Sequence, residues 1–357
     1  MANVRVAGVK EKLASLQIDG LLVTNPVNRR YLSGFTGTSG YLLISGGGNW
    51  LLTDFRYMTQ ASDQASGFTV VKHGTRMIDS VKELAASAGI KKLGFEQEHV
   101  VFADYAAWKT ALDGVELVPV SGIVEQLRVI KDTTELAIMR DAAALADETF
   151  RHILGFIQPG VRETDVALEM ETYMRARGAS STSFQTIVAS GERSALPHGV
   201  ASDKVIGKGE LVTLDFGAYF GGYCSDLTRT VMVGAPSDRH KEIYDIVLEA
   251  QLTALAGIKP GMTGREADAL ARDVIVKYGY GEQFGHSTGH GLGIEIHEEP
   301  RLSANSDQSL EPGMTVTVEP GIYIPGFGGV RIEDDIVITP DGNALLTSSP
   351  KEFIVLG

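Results

Sequence analysis

Over the first third of the chain, short apolar runs alternate with rows of apolar residues at helical spacing. A helical row over 5–17 leads into the run DGLLVT at 19–24, and YLLIS at 41–45 and WLLTD at 50–54 repeat the strand pattern. Helical spacing returns near 55–66 and 76–88, KKLGFE at 91–96 predicts another strand, and 101–112 is helical again. Strands and helices interleaved in this way predict an α/β layer domain.

The pattern changes around VPVSGIVEQLRVIKD. This places a boundary within 122–131, with one domain over 1–125 and a second over 126–357. Asp132 followed by Glu135 makes a helix-start capping box. Leu136, Met139, Ala143, Ala146, Phe150, Ile153 and Ile157 then mark one face of a long helix, which QPGV stops. A second helix opens at RETDVALEM and closes with Arg175, Arg177 and Gly178, basic residues followed by glycine. From 184 onward strands dominate, with helices near 237–257 and 264–277. Strands and helices in blocks predict an α+β domain of antiparallel hairpins.

Composition narrows the class. The chain has 357 residues, 43% hydrophobic and 22% charged, with mean hydropathy +0.02, as expected of an ordinary two-domain globular protein. No apolar run is long enough for a bilayer, and the opening MANVRVAGVKEKL lacks the apolar core of a signal peptide. Cys224 is the single cysteine, which fits a reducing compartment and predicts a cytoplasmic protein. A net charge of −13 argues against nucleic acid or anionic lipid as partners.

The candidate chemistry lies in two acidic hairpins. In ELVTLDFGAYFGGYCSDLTRTVMV (210–233), Asp215 and Asp226 are symmetric about the point between Phe220 and Gly221. Across a hairpin centred there they would face each other with Cβ atoms about 5 Å apart, which destabilises unless a positive charge intervenes. In TVTVEPGIYIPGFGGVRIEDDIVIT (315–339), Glu319 and Glu333 are symmetric about Gly326. Two divalent cations would cancel the four negative charges, and one neutral histidine would add a nitrogen ligand. Oxygen-rich ligation with one nitrogen suits Mn²⁺ first, with Co²⁺ or Zn²⁺ as alternatives. Two such ions about 3.5–4 Å apart activate a shared water and polarise a carbonyl, the chemistry of a dinuclear hydrolase.

Between these hairpins lies HSTGHGLGIEIHEEP (286–300), with His286, His290 and His297 among glycines. Ser287 stands where an H-E-x-x-H zinc helix needs glutamate, and Gly289, Gly291 and Gly293 disfavour a helix. The G-x-G-x-G spacing is not a dinucleotide fingerprint either. The stretch therefore predicts extended or irregular backbone in close approach to something. GTSG at 37–40 is not a nucleophile elbow, so a serine hydrolase is disfavoured. His73, His99, His152 and His240 fall outside these motifs, and Cys224 reads as a small buried hydrophobe.

Taken in order, TLDFGAYFGGYCSDLTRT, HSTGHGLGIEIHEEP, MTVTVEPGIYIP and GVRIEDD resemble the signature of the pita-bread metallopeptidases, in particular the proline-specific branch of prolidase and aminopeptidase P. NRRYLSGFTGTSG is similar to the creatinase-like N-terminal domain of that branch. The resemblance implies an α/β creatinase-like domain followed by an α+β pita-bread catalytic domain with antiparallel sheets. It implies Asp215, Asp226, His290, Glu319 and Glu333 as ligands of two metal ions, with Asp226 and Glu333 bridging and Glu319 serving as acid/base. It implies that His198 binds substrate, that His297 hydrogen-bonds the scissile carbonyl, and that His286, Tyr323 and Arg331 lie near the proline side. The substrate would be a small peptide with proline second. A homodimer is implied, with the GFTGTSG loop of one chain approaching the partner's site. The chain's end at KEFIVLG tips the expectation slightly toward a Xaa-Pro dipeptidase over an aminopeptidase P acting on longer peptides. A non-catalytic binding module on this fold would be marked by lost ligands, and all five are present.

Overall fold

The alternation in the first third of the chain folds into one mixed sheet. The structure, a computed structural model, describes residues 2–357, and its contacts divide the chain into units over 1–128 and 129–357. The first unit contains β1 (Gly20–Val23), β2 (Tyr41–Ser45), β3 (Gly48–Thr53), β4 (Thr69–Lys72), β5 (Lys92–Glu96) and β6 (Glu116–Val120), in the order β4-β3-β2-β1-β5-β6. Strand β1 is antiparallel to β2, parallel to β5, and buried at every residue. Its unbroken Leu-Leu-Val run suits a strand covered on both faces.

The helices of this unit are α1 (Ala2–Leu16), α2 (Pro26–Ser33), α3 (Met58–Gln64), α4 (Met77–Ser87), α5 (Phe102–Ala111) and α6 (Glu125–Arg128). Apolar periodicity did not predict α2, but its ends carry the signal. The Asn25 side chain accepts from the Val27 and Asn28 N–H groups, Pro26 opens the first turn, and Gly34 at φ +79° ends it.

The second unit opens with α7 (Thr133–Ile153) at the expected capping box. Asp132 Oδ1 accepts from Glu135 N–H at 2.9 Å, and Glu135 Oε2 accepts from Asp132 N–H at 2.9 Å. A side-chain cap of this kind stabilises by about 1 kcal/mol. Next come α8 (Glu163–Ala176), β7 (Ser181–Thr182), β8 (Ile187–Ser190), β9 (Glu210–Phe216), β10 (Ala218–Phe220), β11 (Tyr223–Cys224) and β12 (Leu227–Val233). Helices α9 (Asp238–Gly257) and α10 (Gly264–Lys277) precede β13 (Gly289–Gly291), β14 (Glu298–Leu302), β15 (Thr315–Val318), β16 (Gly321–Ile324), β17 (Gly328–Arg331), β18 (Asp334–Thr339), β19 (Gly342–Leu345) and β20 (Val355–Leu356).

Two principal sheets result, β20-β12-β9-β8 and β14-β13-β15-β18-β19, antiparallel except where β20 joins β12. Each has its own helical cover. Phe150, Ile153, Met170 and Met174 of α7 and α8 share a core with Leu214 and Phe216. Tyr244, Val247, Ala271 and Ile275 of α9 and α10 pack with Val316 and Ile336. Burying each large apolar side chain contributes roughly 1.5–3 kcal/mol.

The two acidic hairpins meet different fates. Between β9 and β12, Asp215 pairs with Thr228, not with Asp226. The expected opposition of the two aspartates is therefore wrong: the partner of Asp215 lies two residues beyond Asp226. The turn is Gly221-Gly222 at φ +58° and +94°, so the hairpin centre falls between these two glycines. Asp226 sits in the gap between β11 and β12, where its N–H donates to Asp335 Oδ2 at 2.8 Å. The second hairpin keeps its symmetry about Gly326. Val318 pairs with Asp334 and Gly321 with Arg331, leaving Glu319 and Glu333 in matching breaks between the two ladders.

Candidate metal centre and active site

Each strand break frees a carboxylate from its ladder. Glu319 N–H donates instead to the Thr288 carbonyl at 2.8 Å, and Glu333 N–H to the Thr228 carbonyl at 3.1 Å. Both side chains, with Asp215, Asp226 and His290, line one cavity of about 450 Å³ in the second unit. His198, His286, His297 and Arg331 line the same cavity. Tyr323 stands behind them, donating to or accepting from His286 Nε2 at 2.8 Å and accepting from Arg331 at 2.8 Å. The chain thus brings together every residue singled out from sequence, although they come from segments more than a hundred positions apart.

The glycines between the histidines now have a reason. A Cβ on Gly289 would lie 1.9 Å from the Thr317 carbonyl oxygen, and one on Gly291 would lie 2.2 Å from that of Glu299. Only glycine lets β13 pass so close to its neighbours on both sides of His290.

Potential ligand atoms of Asp226, His290 and Glu333 lie within 4.8 Å of one another, and all three residues are buried. His290 Nε2 is 3.7 Å from Asp226 Oδ2 and 3.4 Å from Glu319 Oε1. Its Nδ1 lies 3.1 Å from the Gly291 carbonyl. A proton on Nδ1 satisfies that contact and leaves the Nε2 lone pair facing the acids, the arrangement of a histidine ligand held by its far nitrogen. Burial drives the His290 pKa down to about 3, so the ring is neutral at physiological pH.

The carboxylates are displaced the other way. Burial, then the neighbouring Glu333 and Asp215, pushes Asp226 well above the usual range. Burial, with Glu319 and Asp215 close by, does the same to Glu333. Burial raises Glu319 to about 7, with Arg331 opposing and Asp215 reinforcing the shift. Asp215 Oδ1 and Asp226 Oδ1 are buried without a hydrogen-bond partner. Crowded acids with orphaned oxygens around a neutral imidazole lone pair are what a divalent cation would satisfy. The donor set fits a metal.

Arg331 is already engaged. Its guanidinium donates to Asp215 Oδ2 at 2.5 Å, Tyr323 Oη at 2.8 Å, Thr228 Oγ at 3.1 Å and the Pro197 carbonyl at 3.3 Å. Burial lowers His286 to about 4, so that ring is neutral as well. His297 is exposed, its ring 4.5 Å from that of His290, and burial of its inner part with nearby Arg301 lowers its pKa.

Sequence reasoning missed two residues. Arg301 lines the cavity and pairs with His290 across the β13–β14 ladder. Directly opposed residues project to the same face, so Arg301 shares the side of the sheet that carries His290. Among the described residues no hydrogen bond or ion pair engages its side chain. The second is Asp335, whose carboxylate receives the Asp226 N–H. Its signal was its place in the acidic run Glu333-Asp334-Asp335, which the sequence reading used only for Glu333.

The matches to known families agree with this geometry. Residues 137–340 match metallopeptidase family M24, and residues 5–130 match the creatinase/prolidase N-terminal domain. The chain belongs to metallopeptidase family M24. It is 41% identical over 353 residues to a Xaa-Pro dipeptidase of Pyrococcus horikoshii, covering 99% of both chains. Among solved structures, a Xaa-Pro dipeptidase from Bacillus anthracis is 57% identical, with TM-score 0.98 over 100% of both chains. An X-Pro aminopeptidase from Thermotoga maritima is 41% identical, with TM-score 0.91 over 95% of this chain and 98% of that one. The fold is therefore the creatinase-like domain followed by the pita-bread catalytic domain, and the protein is a metallopeptidase. No helix among the described residues is long and apolar enough to cross a membrane.

Proposed function

We propose that this metallopeptidase is a Xaa-Pro dipeptidase, releasing the residue ahead of a proline. The observation that carries the reading is the convergence of Asp215, Asp226, His290, Glu319 and Glu333 on one cavity that also holds His198, His286 and His297. Names borne by similar chains and structures support the substrate class. Arg301 favours the dipeptidase over the aminopeptidase acting on longer peptides. An unengaged guanidinium on the site face suits a free carboxylate, which a dipeptide presents on its proline.

Asp215, Asp226, His290, Glu319 and Glu333 would hold two divalent ions, with Asp226 and Glu333 as the ligands shared between them. Mn²⁺ suits this donor set first, and Co²⁺ or Zn²⁺ next. When bound, such ions supply Lewis acidity and bring the pKa of water toward neutrality. Glu319, at the edge of the ligand cluster, is suited to accept a proton from the attacking water and return it to the departing proline nitrogen. Neutral His297 donates to the carbonyl oxygen as charge develops there. His198, exposed beside Pro197, orients the substrate, while His286, Tyr323 and Arg331 form the hydrogen-bonded wall on the proline side.

With Mn²⁺ present, a Xaa-Pro dipeptide should give a higher kcat/KM than the matching Xaa-Pro-Xaa tripeptide. Equal or better cleavage of the tripeptide would overturn the dipeptidase reading in favour of an aminopeptidase.

The protein is further proposed to be a cytoplasmic homodimer. Its one cysteine is free and buried, consistent with a reducing compartment, and the GFTGTSG loop is offered as the segment approaching the partner's site. Light scattering at assay concentration should return twice the chain mass. A stable, active monomer would refute this.

A further inference from the structure

The loop that carries His198 is tied down by one buried acid far along the chain. Glu163, the first residue of α8, is fully buried. Its Oε1 accepts from Ser190 N–H at 2.7 Å and Ser190 Oγ at 2.8 Å. Its Oε2 accepts from Ser202 N–H at 3.1 Å, Ser202 Oγ at 2.6 Å and Arg193 Nε at 3.0 Å. Serines 190 and 202 are the two ends of the loop, so a single carboxylate closes it. Arg193 extends the clamp inward by donating to the Val200 carbonyl at 2.6 Å, and Val200 N–H in turn donates to the His198 carbonyl at 2.9 Å. Val200, Pro197 and His198 line the cavity, whereas Glu163 does not.

We propose that Glu163, acting through Arg193 and the two serines, is a positioning residue that sets His198 for substrate binding. The proposal rests on the peptidase reading above, in which His198 orients the substrate. Five donors converge on this carboxylate, so Glu163→Gln puts an amide N–H₂ against at least one backbone N–H that cannot turn away. The loop then loses its closure while the metal-ligating strands keep their own bonds.

The test is a double-mutant cycle of Glu163→Gln and His198→Ala. It reads kcat, KM, metal content, and calorimetric binding of a non-cleavable reduced-amide Xaa-Pro analogue. Glu163→Gln alone should raise KM and the analogue's Kd about ten-fold, with kcat within about three-fold and metal content unchanged. In the His198→Ala background the same substitution should cost less than about two-fold, because its route to the substrate is gone. Arg193→Met, at a partly exposed position, should reproduce the effect in smaller degree and carries the test if Glu163→Gln does not fold. Equal losses in both backgrounds, or loss of metal from Glu163→Gln, would overturn the proposal. A wild-type protein that neither cleaves Xaa-Pro peptides nor binds the analogue would instead overturn the peptidase reading.

Discussion

Replacing Glu333 with alanine should empty both metal positions at once and abolish peptidase activity, and Asp226→Ala should do the same. Both residues belong to the buried triad with His290 whose ligand atoms lie within 4.8 Å of one another. In the proposed reading each would serve both ions, so neither ion would keep a full ligand set without it. The Glu333 carboxylate is also held at a fixed point, with Thr228 Oγ donating to Oε2 at 2.5 Å and Arg229 donating to the residue's own carbonyl. Elemental analysis beside a dipeptide assay checks this. One tightly held ion in either variant would contradict the bridging assignment, and full activity in metal-free wild type would sink the mechanism.

The second large effect is a contrast among histidines. His297→Ala should keep both metals while lowering kcat by about 10²–10³, the usual cost of one oxyanion donor. Both kcat and kcat/KM should fall together, because the hydrogen bond matters most as the oxyanion forms. His297 is exposed, whereas His290, 4.5 Å away ring to ring, is buried among the acids, which supports giving the two rings different roles. His290→Ala should instead weaken metal binding first, with activity partly restored by excess Mn²⁺. His198→Ala should keep both metals, with part of its loss in KM. The roles of His290 and His297 would be interchanged if His297→Ala stripped metal while His290→Ala did not.

What could be read from the letters was local. Helix α7 begins where Asp132 and Glu135 cap it, and the runs at 41–45 and 91–96 are strands, because period and capping depend on neighbours a few positions away. The matching positions of Glu319 and Glu333 were also legible, since a straight register about Gly326 needs only counting. Counting failed for Asp215 and Asp226. There the register depended on which two residues took positive φ at the turn, and the symmetric spacing could not reveal that. Tertiary structure also decided that Asp226 is held by Asp335, that Arg301 stands opposite His290 across a bulged ladder, and that Glu163 closes the His198 loop. These contacts join segments distant in sequence, and their partners are chosen by sheet pairing and helix packing, which no local period encodes. The letters were enough to name the candidate ligands, because they lie in short local motifs; how those side chains are held was decided only when the sheets packed.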